Sequence, residues 1–370
     1  METKKYRFDE VTINFDKKRI PLSSAQREKR QGTFRYYGAQ GVIDHVDDYI
    51  YDGTYLLIAE DGENLKSKKQ NIAQVVDGQF WVNNHAHIVQ GNEQCDTRFL
   101  CYLINSMDLS GYVTGSAQPK LSQANLNAIT LSLPTLVEQK RIVEYLYMLD
   151  QKIDVNRQIN DNLADLLQTV YQERFGDTSL IANQGILSDI CSYSRDKVAV
   201  SELNVSTYFS TENMLSGKAG STEATSLPTT SQTTACHKGD TLISNIRPYF
   251  KKIVYCEDNC GCSTDVLCFT PSQPRYSAYL FSTLYADKFF AFMVAGSKGT
   301  KMPRGDKQQI MTYPVVLPSE EELAGFNTIA SPILEQIYSN SAENKRLSIL
   351  RDTLLPKLMS GEIDVSAIQL

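Results

Sequence analysis

The sequence has no apolar run long enough to cross a membrane, since a spanning helix needs about 20 consecutive apolar residues. The first residues, METKK, do not lead into the apolar segment of a signal peptide. We therefore expect a soluble cytoplasmic protein. Its 370 residues are enough for two or three domains, each with a core of its own.

Catalytic motifs are missing as well. The chain has no GxxxxGKS or GxxxxGKT phosphate loop, no glycine fingerprint after a strand and no HExxH motif. It also has no Pro-Pro pair, which adenine methyltransferases need beside the target base. His85 and His87 could begin a metal site, but alternation places them on one face of a strand and no third ligand is evident. We predict a non-catalytic chain with no catalytic residues, no metal and no cofactor of its own.

The eight cysteines contain no paired CxxC elements, which argues against a zinc site of the usual spacing. Cys256, Cys260 and Cys262 are close in sequence and could bind a metal. The alternating run from Cys260 to Phe269 favours a strand with small buried residues instead. We expect free thiols, as is usual in a reducing compartment.

A net charge of −6 gives no general attraction to nucleic acid, but the acidic excess is localised. Residues 1–133 carry 15 basic and 16 acidic side chains, and residues 176–317 carry 13 and 12. Residues 134–175 carry 5 basic and 7 acidic side chains, and residues 318–370 carry 4 and 8. Basic patches on the two balanced segments therefore remain available for phosphate.

The two acidic segments are built on one plan. Residues 133–176 and 317–361 both begin with Leu-Pro, followed by a capping box formed by Thr135 with Glu138 and by Ser319 with Glu322. Both end at a glycine, Gly176 and Gly361, which suits a left-handed C-cap. Two long helices are predicted.

A seam of spacings of four and three residues runs along each predicted helix, as in a coiled coil. The first seam is Ile142, Leu146, Leu149, Ile153, Asn156, Asn160, Leu163, Leu167 and Val170. A shift of 184 residues gives Phe326, Ala330, Ile333, Ile337, Asn340, Asn344, Leu347, Arg351 and Leu354. Asparagines at seam positions set register, so we expect an antiparallel pair with Asn156 near Asn344 and Asn160 near Asn340. Pro332 is expected to bend or break the second helix.

The segments before the two helices also repeat. YDGTYLLI at 51–58 resembles HKGDTLIS at 237–244. A Gly-rich stretch from Gly296 occupies the position that corresponds to Gly115 to Asn127 in the first half. Residues 6–15 alternate as a strand, and Arg98 to Leu109 is predicted as a helix. We predict an α+β fold in which two mixed α/β domains are separated by two long helices. The helices form an antiparallel coiled coil, and the chain has internal pseudo-two-fold symmetry.

Basic and amide side chains lie at matching points of the two domains. Amides suit adenine edges, whereas lysine and arginine suit phosphate. In the second domain the candidates are Arg247, Lys251, Lys252, Lys298, Lys301, Arg304 and Lys307. In the first domain they are Arg35, Ser116, Gln118, Lys120 and Gln123. For each loop taken alone, ordinary solvated surface remains the alternative.

With these features together, the chain resembles the specificity subunit of type I restriction-modification systems. The segments that carry the resemblance are LPTLVEQKRIVEYLYMLDQKIDVNRQIN at 133–160, VNNHAHIV at 82–89 and LRDTLLPKLMSGEIDV at 350–365. The resemblance implies a target recognition domain at 1–133, a central helical region at 134–175, a second recognition domain at 176–317 and a C-terminal helical region at 318–370. The opening of the second helical region matches the family weakly.

The resemblance also implies partners. Each recognition domain would read one half of a split site on double-stranded DNA, and the coiled coil would fix the gap between the halves. Two modification subunits, which bind S-adenosylmethionine and methylate adenine, would dock on the chain, and a restriction subunit could join them. Two other classes stay open: a structural adaptor whose helix pair spaces two protein-binding domains, and a nuclease or methyltransferase with an unrecognised site.

Overall fold

The computed structural model describes residues 2–67, 70–115, 118–176 and 183–363 of the chain. Its contacts divide the protein into two units, Met1–Ile153 with Lys345–Leu370, and Asp154–Asn344. Two long helices each contribute one part to the first unit and the other part to the second.

The first unit is built on a six-stranded sheet in the order β2-β7-β5-β6-β3-β4, in which only β3 and β6 pair in parallel. A further pair, β1 with β8, is antiparallel. The strands are β1 (Lys4–Arg7), β2 (Thr12–Asn14), β3 (Gln31–Gly38), β4 (Gly41–Val46), β5 (Tyr51–Ala59), β6 (Ala73–Val82), β7 (Ala86–Gly91) and β8 (Thr130–Leu133). The helices are α1 (Phe8–Val11), α2 (Ser24–Glu28), α3 (Asn64–Ser67), α4 (Thr97–Ser106), α5 (Gln123–Asn127) and the long α6 (Leu136–Phe175).

The segment at residues 6–15 differs from the predicted single strand. It forms β1, one turn of helix α1 and then β2. The helical turn brings Phe8 and Val11, three residues apart, to the same side, and both side chains are buried. A continuous strand would have placed them on opposite faces, so burial of both favours the turn.

The second unit contains two four-stranded sheets, in the orders β10-β17-β14-β15 and β11-β13-β16-β12. Its strands are β9 (Gln184–Ile186), β10 (Cys191–Tyr193), β11 (Lys197–Ala199), β12 (Tyr208–Phe209), β13 (Gln232–Cys236), β14 (Thr241–Ser244), β15 (Ile253–Tyr255), β16 (Cys260–Cys262), β17 (Val266–Pro271) and β18 (Pro314–Val316). Its helices are α7 (Leu187–Ile190), α8 (Ser277–Tyr285), α9 (Asp287–Ala295), α10 (Lys307–Ile310) and the long α11 (Glu320–Ser360).

Corresponding elements occur in the same order in both units. The strand-turn-strand β1-α1-β2 has its counterpart in β9-α7-β10. The first strand of each group pairs antiparallel with the last strand before a long helix, β1 with β8 and β9 with β18. The predicted mixed α/β composition with two long helices is confirmed. The pseudo-two-fold symmetry and the four-segment division remain predictions.

The long helices run antiparallel in each unit. In the first unit Arg351 bonds Asp150, while Leu358 shares a buried core with Ile142, earlier on α6. In the second unit Asn156 contacts Asn344, and Phe175, later on α6, packs on Phe326 with ring centroids 5.5 Å apart. In both units, residues later on α6 therefore contact residues earlier on α11.

The predicted caps form at the starts of both long helices. Glu138 accepts hydrogen bonds from the backbone N–H and hydroxyl of Thr135, and Glu322 does the same for Ser319. At the other ends, Gly361 has a φ of +76°, as a left-handed cap requires. Gly176 is not left-handed, so that expectation was wrong; its N–H continues the helical bonding to the carbonyl of Gln172 at 2.9 Å.

Pro332 does not interrupt α11, contrary to the expectation of a break. The proline removes the N–H that would have bonded the carbonyl of Thr328, four residues earlier. Both residues are exposed, so water can bond that carbonyl. The next two residues, Ile333 and Leu334, are buried in the same core as Phe326, which holds the helix on both sides of the proline.

Candidate nucleic-acid interface

A short loop closed by two backbone hydrogen bonds lies before α5 in the first unit. Thr114 and Lys120 exchange N–H to carbonyl bonds, both 2.8 Å long. Gly115 turns the chain with a φ of +84°, a conformation that costs glycine little. Ser122 then caps α5 by accepting a bond from the N–H of Asn125. We call residues 114–120 the first loop; its candidate Ser116 lies outside the described residues.

The second unit has a loop of the same design before α10. Lys298 and Arg304 exchange backbone hydrogen bonds of 2.9 and 3.0 Å, and Gly299 turns the chain with a φ of +98°. Asp306 caps α10 by accepting bonds from the N–H groups of Gln308 and Gln309. We call residues 298–304 the second loop.

The two loops correspond at an offset of 184 residues, the same offset that relates the helical seams. Lys120 thus matches Arg304, and Gly115 matches Gly299. The sequence comparison had set Gly115 against Gly296, three residues too early. That alignment was based on the first glycine of each stretch, whereas the loop is defined by its backbone bridges.

The cations of the second loop differ in their partners. Lys298 Nζ lies 2.6 Å from Oδ2 of Asp306, and Arg304 Nη2 lies 3.2 Å from Oδ1 of Asp265. Hydrogen bonding from Lys298 and from backbone N–H groups lowers the pKa of Asp306. Lys301 is exposed and has no ion pair within the described residues. Two of the three cations are therefore held in place by carboxylates, and the third is available to a ligand.

Arg247 joins this surface through its backbone. Its N–H donates to the carbonyl of Pro303 at 2.8 Å, and the preceding residue, Ile246, forms a bridge with Arg304. Arg247 adopts a left-handed φ of +50°, and its buried Nε has no hydrogen-bond partner among the described residues. Lys307, the first residue of α10, is exposed, and its carbonyl accepts a bond from the hydroxyl of Tyr193.

Lys251 and Lys252 are engaged elsewhere in the unit. Lys251 Nζ lies 2.9 Å from Asp287, a carboxylate whose pKa is lowered by hydrogen bonds from Lys218 and Lys251. Lys252 donates to the carbonyl of Thr211 at 2.6 Å, and burial lowers its pKa. Of the three cations predicted around Pro248, only Arg247 is bridged to the second loop.

The predicted residues of the first unit are mostly exposed. Lys120 Nζ lies 3.2 Å from Glu60, which also pairs with Arg19 at 3.0 Å. Gln118 and Gln123 present exposed amide side chains before and after that lysine. Arg35 lies on β3 and donates to the carbonyl of Asp77 at 2.7 Å. The first loop thus offers one lysine and the amide of Gln118, and Gln123 adds a second amide from α5, whereas the second loop offers three cations.

A buried pair beneath the first loop escaped the sequence analysis. His87 is 1% exposed; its Nδ1 lies 2.6 Å from Oδ2 of Asp16, and its Nε2 lies 2.8 Å from the carbonyl of Leu121. Burial alone would raise the pKa of Asp16, but hydrogen bonds from His87 and the Ile88 N–H, with the charge of Arg19, lower it overall. His87 therefore ties the end of the first loop to the core.

His85 and His87 do not share a strand face, so that prediction was wrong. His87 lies on β7, whereas His85 lies in the turn before it and bonds Asp61 at the surface. The period-two argument fails because the turn interrupts the alternation. Among the residues that the structure describes, no group of three or more His, Cys, Asp or Glu side chains could hold a metal ion.

The four seam asparagines form one polar contact region in the second unit. Asn156 Nδ2 donates to Oδ1 of Asn344 at 2.9 Å, and also to Glu343 at 2.7 Å. Asn340 Nδ2 donates to Oδ1 of Asn160 at 2.8 Å, and Asn160 donates to the carbonyl of Ile337. The pairing satisfies amides that α6 and α11 would otherwise bury without partners.

Within the described ranges, no helix has the length and hydropathy that a membrane span requires.

Comparisons with known proteins identify relatives of this architecture. Residues 2–164 match the family model described as the type I restriction modification DNA specificity domain. A putative type I restriction enzyme specificity subunit of Haemophilus influenzae is 36% identical over 138 residues, 37% of this chain and 35% of that protein. The type I restriction enzyme EcoprrI specificity subunit of Escherichia coli is 26% identical over 125 residues, 33% of this chain and 30% of that protein. The matches span about a third of each relative's length.

One solved structure has the same fold over most of the chain. The S subunit of a type I restriction-modification system from M. genitalium aligns with a TM-score of 0.58 and 16% identity, covering 97% of this chain and 96% of that one. At this identity the likeness establishes the fold alone.

Proposed function

We propose that this protein is the DNA specificity subunit of a type I restriction-modification complex, because residues 2–164 match the family model described as the type I restriction modification DNA specificity domain. It binds double-stranded DNA at a bipartite site. One half of the site is contacted by the first loop, and the other half by the second loop together with Arg247.

The observation that carries this proposal is the recurrence of one loop design with different side chains. Each loop is closed by a pair of backbone hydrogen bonds, and the bonded residues of the two loops correspond at one constant offset in sequence. Each loop also precedes a capped short helix. The first presents Gln118 and Lys120, and the second presents Lys301 and Arg304. Equivalent frameworks with unlike side chains suit two readers that bind the same polymer but distinguish different bases.

The cations of both loops suit phosphate. Lys298 and Arg304 are held by partly exposed carboxylates, so a phosphate can replace those partners at small cost, because exposed ion pairs contribute only about 0.2–1 kcal/mol. Lys301 can bind phosphate directly. Backbone contacts of this kind position the protein on the duplex and leave the amides of Gln118 and Gln123 to read base edges.

The long helices serve as a spacer and a scaffold in this proposal. The antiparallel coil sets the number of unread base pairs between the two half-sites, and its asparagines fix the register. Two modification subunits dock on the chain and supply S-adenosylmethionine and methyl transfer to adenine, and restriction subunits join the same complex. The chain itself contributes recognition and no catalysis.

Replacement of one recognition domain tests this function. Residues 180–316 are exchanged for the corresponding segment of another family member, and the methylated site is determined with the modification subunits present. We expect one half-site to change while the other half-site and the gap stay the same. Exchange of residues 1–133 is the matched control and should change only the opposite half. A change of both halves by either exchange contradicts the proposal. Indifference to DNA, with no methyltransferase co-purifying, would instead support an adaptor.

A further inference from the structure

Five of the eight cysteines come together in one buried cluster of the second unit. They are Cys236, Cys256, Cys260, Cys262 and Cys268. Strand pairing explains part of the arrangement, because Cys236 on β13 is directly opposite Cys260 on β16. Apolar neighbours include Met214 and Leu242, and Cys268 Sγ lies 3.2 Å from Oδ2 of the buried Asp240. Nothing in the proposed DNA-binding function uses this cluster.

Neighbouring thiols lower the pKa of Cys260. Its Sγ lies 3.6 Å from Sγ of Cys256. Hydrogen bonds from the thiols of Cys236 and Cys256 lower the pKa of Cys260, and their effect exceeds the opposing effect of burial. The pKa of Cys256 is raised, because its thiol donates to Cys260 and because it is buried. The pair therefore places two thiols 3.6 Å apart, with the pKa of Cys260 lowered and the pKa of Cys256 raised.

A surface cleft gives access to this pair. Its lining includes Cys236 and Cys260 together with Lys197, Glu202, His237 and Asn259. Cys256 does not line the cleft. A small solute that enters the cleft therefore meets Cys260 before it meets Cys256.

The described side chains offer no grouping of three or more ligands that would hold a metal here. Thiolate character together with access to solvent is the combination that makes a cysteine sensitive to peroxide, whereas buried neutral thiols are inert.

We propose that Cys260 is a peroxide-sensitive oxidation site and that Cys256 is its resolving thiol. The oxidant is a hydroperoxide. The Cys260 thiolate attacks one peroxide oxygen, the O–O bond breaks, and the other oxygen leaves as an alcohol or as water after taking up a proton. The Cys256 thiol then displaces the sulfenic oxygen as water and forms the S–S bond. The two sulfurs together lose two electrons, and the O–O bond gains them.

The bridge would form beside a contact with the coil. Cys256 and Cys260 flank a three-residue turn in which Asp258 accepts a hydrogen bond from the hydroxyl of Tyr338 on α11. The neighbouring Glu257 is buried and lies 3.7 Å from Lys238. Oxidation therefore constrains the turn through which this part of the second unit meets α11.

Peptide mapping of the full chain tests the proposal. The reduced protein is treated with hydrogen peroxide, its free thiols are alkylated, and it is cleaved before Asp258, which separates the two cysteines in sequence. We expect fragments that carry Cys256 and Cys260 to remain joined until a reductant is added. We also expect Cys260 in the reduced protein to react with iodoacetamide at pH 7 at least about tenfold faster than Cys191.

Two variants identify the roles of the thiols. Cys256→Ser should abolish the bridge and leave a sulfenic acid at Cys260 that dimedone traps. Cys191→Ser is the matched control, because Cys191 is buried in the same unit but bonds the carbonyl of Leu187, and this variant should form the bridge as the unaltered protein does. The mapping of the unaltered protein does not depend on whether either variant folds.

Three results would overturn the proposal. They are a Cys260 that stays reduced while other thiols oxidise, a bridge that joins Cys260 to Cys236, and stoichiometric zinc bound by these thiols in the purified protein. None of these results would bear on DNA recognition, which is measured separately.

Discussion

The side-chain amides of Asn156 and Asn344 meet across the long helices, with Nδ2 of Asn156 2.9 Å from Oδ1 of Asn344. Asn156 is 1% exposed, so its amide depends on protein partners. A shift of one helix along the other would leave these groups against apolar side chains, which is the physical basis for their proposed control of register.

Removal of one amide should destabilise the helix pair. We expect Asn156→Ala to lower the free energy of unfolding by about 1–3 kcal/mol, because Asn344 loses its donor in a partly buried contact. Urea unfolding measures this change. The control is Gln158→Ala, at an exposed position two residues later on the same helix, which should change stability by less than about 0.5 kcal/mol. Equal effects of the two substitutions would show that the pairing does not stabilise the coil.

Lengthening the coil should lengthen the unread gap. Four residues inserted after Asn160, with four more before Asn340, add about 6 Å, or slightly more than one helical turn. We expect the gap between half-sites to grow by one or two base pairs at about 3.4 Å each. Methylation mapping measures the gap. An equal insertion at residue 225, in the Ser/Thr-rich connection before β13, should leave it unchanged, and a constant gap in both proteins would exclude the spacer role.

The helices could be predicted from sequence because their signals are local. A capping box, a seam of spacings four and three, and paired asparagines all lie within short stretches of chain. Pro332 shows the limit of such signals, since its effect depends on whether the carbonyl of Thr328 faces solvent. The turn α1 shows the same limit, because burial of both Phe8 and Val11 is a tertiary requirement.

Loss of the second-loop cations should weaken DNA binding regardless of sequence. We expect replacement of Lys298, Lys301 and Arg304 by Ala to lower affinity for specific and non-specific duplexes alike. The slope of log K against log salt should become smaller by up to about 0.9 for each phosphate that the protein no longer neutralises. Binding is measured as a function of salt concentration on the assembled protein.

A charge-matched variant controls for the change in net charge. Arg195, Lys197 and Lys288 are exposed cations of the same unit outside the second loop. Their replacement by Ala should change the salt slope much less. If both triple variants show the same drop in affinity, general electrostatic attraction rather than the loop accounts for binding.

The buried pair beneath the first loop should make stability depend on acid pH. The folded-state pKa of Asp16 lies below its ordinary value, so its carboxylate stabilises the fold above the unfolded pKa of about 4, and this stabilisation is lost as pH falls further. We expect Asp16→Asn to cost about 1–3 kcal/mol near pH 7, and the difference from the unaltered protein to shrink below about pH 4. Urea unfolding across pH measures both effects.

The exposed Asp52 is the control for this substitution, because its carboxylate accepts a surface hydrogen bond from Gln79. Asp52→Asn should leave both the stability and its pH dependence close to those of the unaltered protein. A difference for Asp16→Asn that stays constant down to pH 3 would contradict the assigned role of the carboxylate.

The candidate site could be predicted only in part. Composition indicated which loops carry lysine, arginine and amides. It could not indicate that Lys252 is occupied by a backbone carbonyl, or that His87 connects Asp16 to the end of the first loop. These partners are 41, 71 and 34 residues apart in the chain, and no local pattern records such distances. The loop alignment likewise required the backbone bridges of Lys120 and Arg304.

The most direct test of the central claim is a map of methylated adenines in the host genome with and without this gene. The account predicts that one split sequence motif, with two defined halves and a fixed gap, is methylated when the gene is present and unmethylated when it is deleted. Restoration of the gene should restore the same motif. An identical methylation map in both strains, with the modification subunits expressed, would contradict a role in DNA specificity.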